Sequence, residues 1–151
     1  MNYLLDTNVV SEWVRPRPDA GVVAWLAGVD EDRVFLSVIT HAELRHGIER
    51  MHSGARRNRL EAWLTGDLAA RFESRMLPID AGVADLWGGI MARAQVVGRP
   101  IGPMDAFIAA TAERHGLALV TRDTSEFEPL GLTVVNPWTP PSTGLPPPVT
   151  S

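Results

Sequence analysis

The sequence predicts an α/β domain built on a mostly parallel central sheet of about four to five strands. Two observations carry this. Short apolar runs alternate along the chain with longer segments of helical periodicity, the order that yields strand–helix–strand units. The chain has 151 residues, 45% hydrophobic and 21% charged, an ordinary composition for one domain with one core.

Residues 2–5 form the first apolar run, closed by Asp6-Thr7-Asn8, and read as a buried strand and a turn. Asn8 to Val14 supplies one or two helical turns before Arg15-Pro16-Arg17-Pro18 breaks the chain. Residues 19–28 read as a short helix with Val22, Val23, Trp25 and Leu26 available to the core. Val34-Phe35-Leu36 is the second strand. Ser37 or Thr40 can cap the next helix, which runs to about His52; Glu43, three residues after Thr40, fits a capping box. Residues 55–75 predict another helix, with Leu60, Trp63, Leu64, Leu68 and Phe72 at helical spacing. Residues 76–79 are a third strand and 81–97 a helix of small and apolar residues. After the Gly/Pro loop 98–103, a helix over 104–115 stops at Gly116. Residues 117–120 and 132–135 are the fourth and fifth strands. Six of the 12 prolines fall between Pro137 and Pro148, so 139–151 read as an extended or disordered tail and 1–138 as the domain.

Composition excludes several chemistries. With no cysteine, disulfide scaffolds, thiolate metal sites and cysteine nucleophiles are ruled out. All 14 basic residues are arginine, which removes P-loop and Schiff-base lysines. The N-terminus lacks a signal peptide's pattern and no apolar run approaches a membrane span, so the chain reads as cytoplasmic. The net charge of -4 argues against gripping nucleic acid by bulk charge.

Four acidic positions fall at places where an open parallel sheet binds ligands, outside the carboxyl ends of its strands. Asp6 follows the first strand and Asp123 the fourth. Glu43 is expected in the first turn of the helix after the second strand, and Asp105 at the start of the helix before the fourth. Each has an ordinary structural reading as a cap, turn residue or dipole partner. Together they would repel one another unless a cation neutralised them. Oxygen-only ligands suit hard ions, so Mg²⁺, with Mn²⁺ as the alternative, is the expected cofactor. Removing these four charges from -4 leaves zero, so the remaining surface need not repel a polyanion. An acidic site of this kind can hydrolyse phosphodiesters.

Four segments carry a resemblance: Tyr-Leu-Leu-Asp-Thr-Asn at 3–8, Leu-Ser-Val-Ile-Thr-His-Ala-Glu-Leu-Arg-His-Gly at 36–47, Ile-Gly-Pro-Met-Asp-Ala-Phe-Ile-Ala-Ala-Thr-Ala at 101–112 and Leu-Val-Thr-Arg-Asp-Thr-Ser-Glu-Phe at 119–127. In this order and spacing the chain resembles the PIN-domain ribonucleases, especially the VapC toxins of type II toxin–antitoxin pairs and their FitB-like branch. The resemblance implies a three-layer α/β/α domain. It implies that Asp6, Glu43, Asp105 and Asp123 bind Mg²⁺ or Mn²⁺ and cut single-stranded RNA, with Asp6 and Asp105 the most direct metal ligands. Thr7, Asn8 and Thr121 would orient the acids. It further implies a homodimer, or a higher toxin–antitoxin assembly, held inactive by a cognate VapB-like antitoxin. One departure is Met104, where a common family variant has asparagine.

The function read from the sequence is therefore a metal-dependent endoribonuclease toxin; the alternative is a catalytically weak PIN-like module that binds RNA or protein. An aspartate-nucleophile phosphatase would want Asp-x-Asp where Asp6-Thr7-Asn8 stands, and a receiver domain would want a lysine. Arg45, Arg50, Arg56, Arg57 and Arg59 form either a phosphate-binding face or a solvated, ion-paired one. His41, His46, His52 and His115 show no metal spacing. Trp13 is expected to pack, with base stacking the weaker alternative.

Overall fold

The computed structural model describes residues 1–139. Its sheet has five strands: β1 (Tyr3–Leu5), β2 (Val34–Ser37), β3 (Met76–Leu77), β4 (Ala118–Val120) and β5 (Val134–Val135). They lie in the order β3-β2-β1-β4-β5 and every pairing is parallel. β1 is central, with Leu4 opposite Phe35 on one side and Leu119 on the other.

Alternation along each strand divides the core in two. Leu4 and Leu119 face one layer with Val83, Ile90, Ile108 and Phe127, while Phe35 packs against it. Leu5, Val34, Leu36 and Val120 face the other with Val9, Val10, Val22, Leu64, Leu68 and Phe72. Helices α6 (Ala81–Val96) and α7 (Pro103–His115) supply most of the first layer. The second is built from α1 (Thr7–Trp13), α2 (Ala20–Gly28), α3 (Val38–Glu49), α4 (Ala55–Ala62) and the helical turns that follow it. This is the α/β/α arrangement the sequence implies, and strands buried on both faces explain their unbroken apolar runs.

The elements depart from expectation where local chemistry intervenes. The helix expected over 55–75 ends sooner: α4 leads into a π-helical turn, Trp63–Leu68, and a short α5 (Ala69–Arg71). Leu60, Leu64, Leu68 and Phe72 repeat every fourth residue. In an α-helix that repeat drifts about 40° per step. A wider turn keeps Leu64, Leu68 and Phe72 all in the core. β3 stops at Leu77 because Pro78 has no N–H for a ladder. β4 begins only at Ala118 because the Leu117 N–H is spent on Ala112 O at 2.9 Å, closing the helix end over Gly116 (φ 64). β5 is shorter than expected, following Gly131 (φ 82). The sequence did not predict α8 (Thr124–Phe127) or the 3-10 turns Glu31–Arg33 and Glu128–Leu130.

Thr139, placed by the sequence at the head of the tail, is anchored to the start of α2. Its hydroxyl accepts Gly21 N–H at 2.9 Å and its N–H donates to Asp19 Oδ2 at 3.0 Å. The rest of that expected tail, 140–151, lies outside the described residues. A Cβ at Gly21 would lie 2.4 Å from Pro137 O and 2.6 Å from Thr139 N, both backbone atoms. Gly21→Ala is therefore expected to cost about 1–3 kcal/mol and to expose the 137–139 strap to protease. Urea denaturation with limited proteolysis checks this; unchanged stability and cutting would refute it. No helix among the described residues is long and apolar enough to cross a membrane.

Candidate active site

The ends of β1, β2 and β4 open onto one cleft of about 370 Å³, and Asp6, Glu43, Asp105 and Asp123 all line it. Asp6 is 3% exposed and caps α1. Its Oδ1 accepts Thr7 N–H at 2.7 Å and its Oδ2 accepts the Thr121 hydroxyl at 2.8 Å. Its own N–H bonds to Val120 O at 2.9 Å, so the end of β4 sets its place. The cap reading and the site reading of Asp6 thus hold together: the turn that starts α1 aims the carboxylate.

Thr121 is wholly buried and its hydroxyl is saturated. It donates to Asp6 and accepts Asp123 N–H at 3.0 Å and Asn8 Nδ2 at 3.3 Å. Asn8 also donates to Asp123 Oδ2 at 3.2 Å, tying α1 to the loop after β4. Glu43 lies in the second turn of α3, because Ser37 rather than Thr40 caps that helix, its hydroxyl accepting Ile39 N–H at 3.0 Å. The Thr40–Glu43 capping box does not form. Glu43 instead accepts the Thr7 hydroxyl at 2.7 Å, and the buried Thr40 hydroxyl contacts that of Thr7 at 3.1 Å. Thr121, Thr7 and Asn8, for which the resemblance implies orienting roles, donate to Asp6, Glu43 and Asp123 respectively. Asp105 sits in the first turn of α7, where the helix dipole favours a negative charge.

Burial pushes the Asp6 carboxyl up to about 6; its bonds to Thr121 and Thr7 pull the other way, and the Asp105 and Asp123 charges add to the rise. Burial also raises Asp105, offset in part by a hydrogen bond to Glu126 and reinforced by Asp123. Glu126 is the carboxyl that the sequence reading did not single out. On α8 beside Asp105, it is raised to about 7 by burial first, then by the Asp105 charge and the shared hydrogen bond. The available signal was its three-residue spacing from Asp123, which puts both on one side of a single helical turn.

The donors in the cleft are hard carboxylate oxygens, which suit Mg²⁺ or Mn²⁺. Among the described residues no three of them close into a preformed ion cage. The quartet shares a cleft, and side-chain rotation would have to bring its oxygens onto one ion. None of the four histidines lines it.

Two of the clustered arginines and Trp13 resolve as structural. Arg45 pairs with Glu49 and Glu61, each at 3.3 Å, and Arg57 with Glu49 at 2.8 Å, clamping α3 to α4. Trp13 lies under the Arg71 guanidinium, 4.6 Å from its ring centre, and packs against the second core layer.

The PIN domain family model matches residues 3–129. The chain is 42% identical over 137 residues to VapC ribonuclease Y4jK of Sinorhizobium fredii, covering 91% of this chain and 98% of that protein. It is 43% identical over 135 residues to toxin FitB of Neisseria gonorrhoeae, covering 89% and 97%. The crystal structure of FitAcB from the same organism superposes with a TM-score of 0.85 at 43% identity, over 90% of this chain and 98% of that one. The match spans every element that contributes an acid to the cleft, and the chain belongs to the PIN domain family.

Proposed function

We propose that this chain is a metal-dependent endoribonuclease that cuts single-stranded RNA, the toxin of a toxin–antitoxin pair. The observation that carries the reading is the convergence of Asp6, Glu43, Asp105 and Asp123 on one cleft, with Asp6 and Glu43 held by dedicated threonines. A bound Mg²⁺ or Mn²⁺ would supply a water of lowered pKa and offset the charge that builds on the phosphate. Asp6 and Asp105 would hold the ion, with Glu43 and Asp123 completing its acidic surround. Thr7 and Thr121 fix the Glu43 and Asp6 oxygens, which lowers the cost of ordering them. Glu126, raised to about 7 by burial and by the Asp105 charge, would exchange a proton with Asp105 near neutral pH.

Beside the cleft runs an apolar groove lined by Val14, Leu44, Ile48, Met51, Leu60 and Trp63, which opens into the cleft along Ser11, Arg15 and Glu43. An antitoxin segment of apolar residues laid there would reach the acids and shut the site. Arg56 on the groove wall would pair with an acidic residue of that segment.

Cleavage of tRNA, rRNA and single-stranded RNA pools by antitoxin-free protein tests the reading. Cutting is expected with Mg²⁺ or Mn²⁺, none with EDTA, and at least a hundredfold less with Asp105→Asn at unchanged fold. Intact pools from a folded protein that binds neither ion would leave the non-catalytic binding module in its place.

A further inference from the structure

The cleft is strongly acidic and an RNA strand is a polyanion, so cationic side chains at its mouth would favour the strand's entry beyond what a bound ion supplies. Two arginines line it, Arg15 and Arg122. Arg15 is engaged with Glu12 at 3.5 Å. Arg122, between Thr121 and Asp123, is exposed and has no ion-pair partner among the described residues. Its guanidinium instead lies over the Trp138 indole, 5.4 Å from the ring centre. Trp138 also lines the cleft and packs against the second core layer. The strap that carries it is pinned to α2 by Thr139.

This arrangement leaves the cation over an aromatic ring, with no hydrogen bond from its N–H groups among the described residues. A guanidinium so placed can hold a phosphate at its edge and take a base on its face at once, because the two contacts use different directions. We propose that Arg122 and Trp138 form a nucleotide subsite at the mouth of the cleft, gripping the phosphate and base that flank the scissile linkage. Arg122 is a substrate-binding residue and Trp138 its platform. The subsite accepts any base, since every base has a π-face. This rests on the acidic cleft being the RNA-cleaving centre.

Two measurements on the full chain test it. The first is binding of a fluorescein-labelled, mixed-sequence single-stranded RNA 12-mer, with EDTA present so that nothing is cut. Arg122→Ala is expected to weaken binding about tenfold and to flatten the slope of log K against log salt by about 0.7, one phosphate contact. Arg122→Lys should keep that slope and lose about threefold, for want of the stack. The second is steady-state cleavage of single-stranded RNA in Mg²⁺, where Arg122→Ala should raise KM about tenfold and leave kcat within twofold. Circular dichroism controls for folding, and Arg122 is exposed, so its variants should fold. Equal affinity and salt slope in Arg122→Ala would overturn the subsite while leaving metal-dependent cutting intact. Arg122-dependent binding with no cutting under any metal would instead overturn the nuclease and leave the subsite standing.

Discussion

Asp6→Asn is expected to lose cleavage by about a thousandfold or more and to gain stability at neutral pH. The first effect follows from the proposed role of Asp6 as a direct ion ligand, whose removal would take several kcal/mol of transition-state stabilisation. The second follows from the sign of the shift. Asp6 titrates near 6 in the fold against an ordinary value of 3.8, so folding favours its protonated form. The protein therefore carries no penalty from this group below about pH 4 and the full penalty above about pH 6. A shift of that size corresponds to roughly 3 kcal/mol. The amide returns only part of it, since its N–H₂ faces a Thr121 oxygen already serving Asp123 and Asn8. Urea denaturation in EDTA at pH 4 and pH 7.5 should show the variant gaining about 2 kcal/mol on the parent between the two. A difference that stays flat with pH would show that Asp6 is not held against its charge.

Thr121→Val should be the most damaging change outside the acids. The side chains are nearly the same shape, so packing survives and only the hydroxyl is lost. Three groups then lose a partner: Asp6 Oδ2, Asp123 N–H and Asn8 Nδ2. A buried polar group left unmet costs about 1–3 kcal/mol, and more if charged, so about 3 kcal/mol of stability is expected to go. Cleavage should fall about a hundredfold, because Asp6 and Asp123 both lose their fixed direction. Thr121→Ser restores the hydroxyl and should recover most of both. Equal loss in Thr121→Ser would assign the effect to packing at the end of β4 and remove Thr121 from the site.

The strands and their parallel pairing were legible because each is a short apolar run closed by a polar turn, and a strand buried on both faces has no other pattern. The four acids were legible because they stand at strand and helix ends, the positions where such a sheet presents side chains to a ligand. What escaped was set by contacts distant in sequence. Glu126 needs the short helix after Asp123, and four residues give no periodicity to read. The role of Glu43 depends on which hydroxyl caps α3; Ser37 and Thr40 look alike until Thr7, at the start of α1, arrives to claim the glutamate. The wide turn at 63–68 was written in the fourfold leucine repeat, yet the same spacing also fits an α-helix. Arg122 and Trp138 stand 16 positions apart and meet only because the last strand returns beside β4.

The central place of β1 has a consequence for how the protein comes into being. Its partner on one side, β4, is separated from it by most of the chain, with Leu5 held opposite Val120. A ribosome adding roughly 5–20 residues per second leaves β1 waiting on the order of ten seconds for that partner. Until then Asp6 lacks both the Val120 carbonyl and the Thr121 hydroxyl that place it, and Asp123 has yet to be made. The acidic cleft is therefore assembled late, only once β4 and the loop after it have been made, so a chain cut short before residue 118 holds Asp6 without the groups that place it.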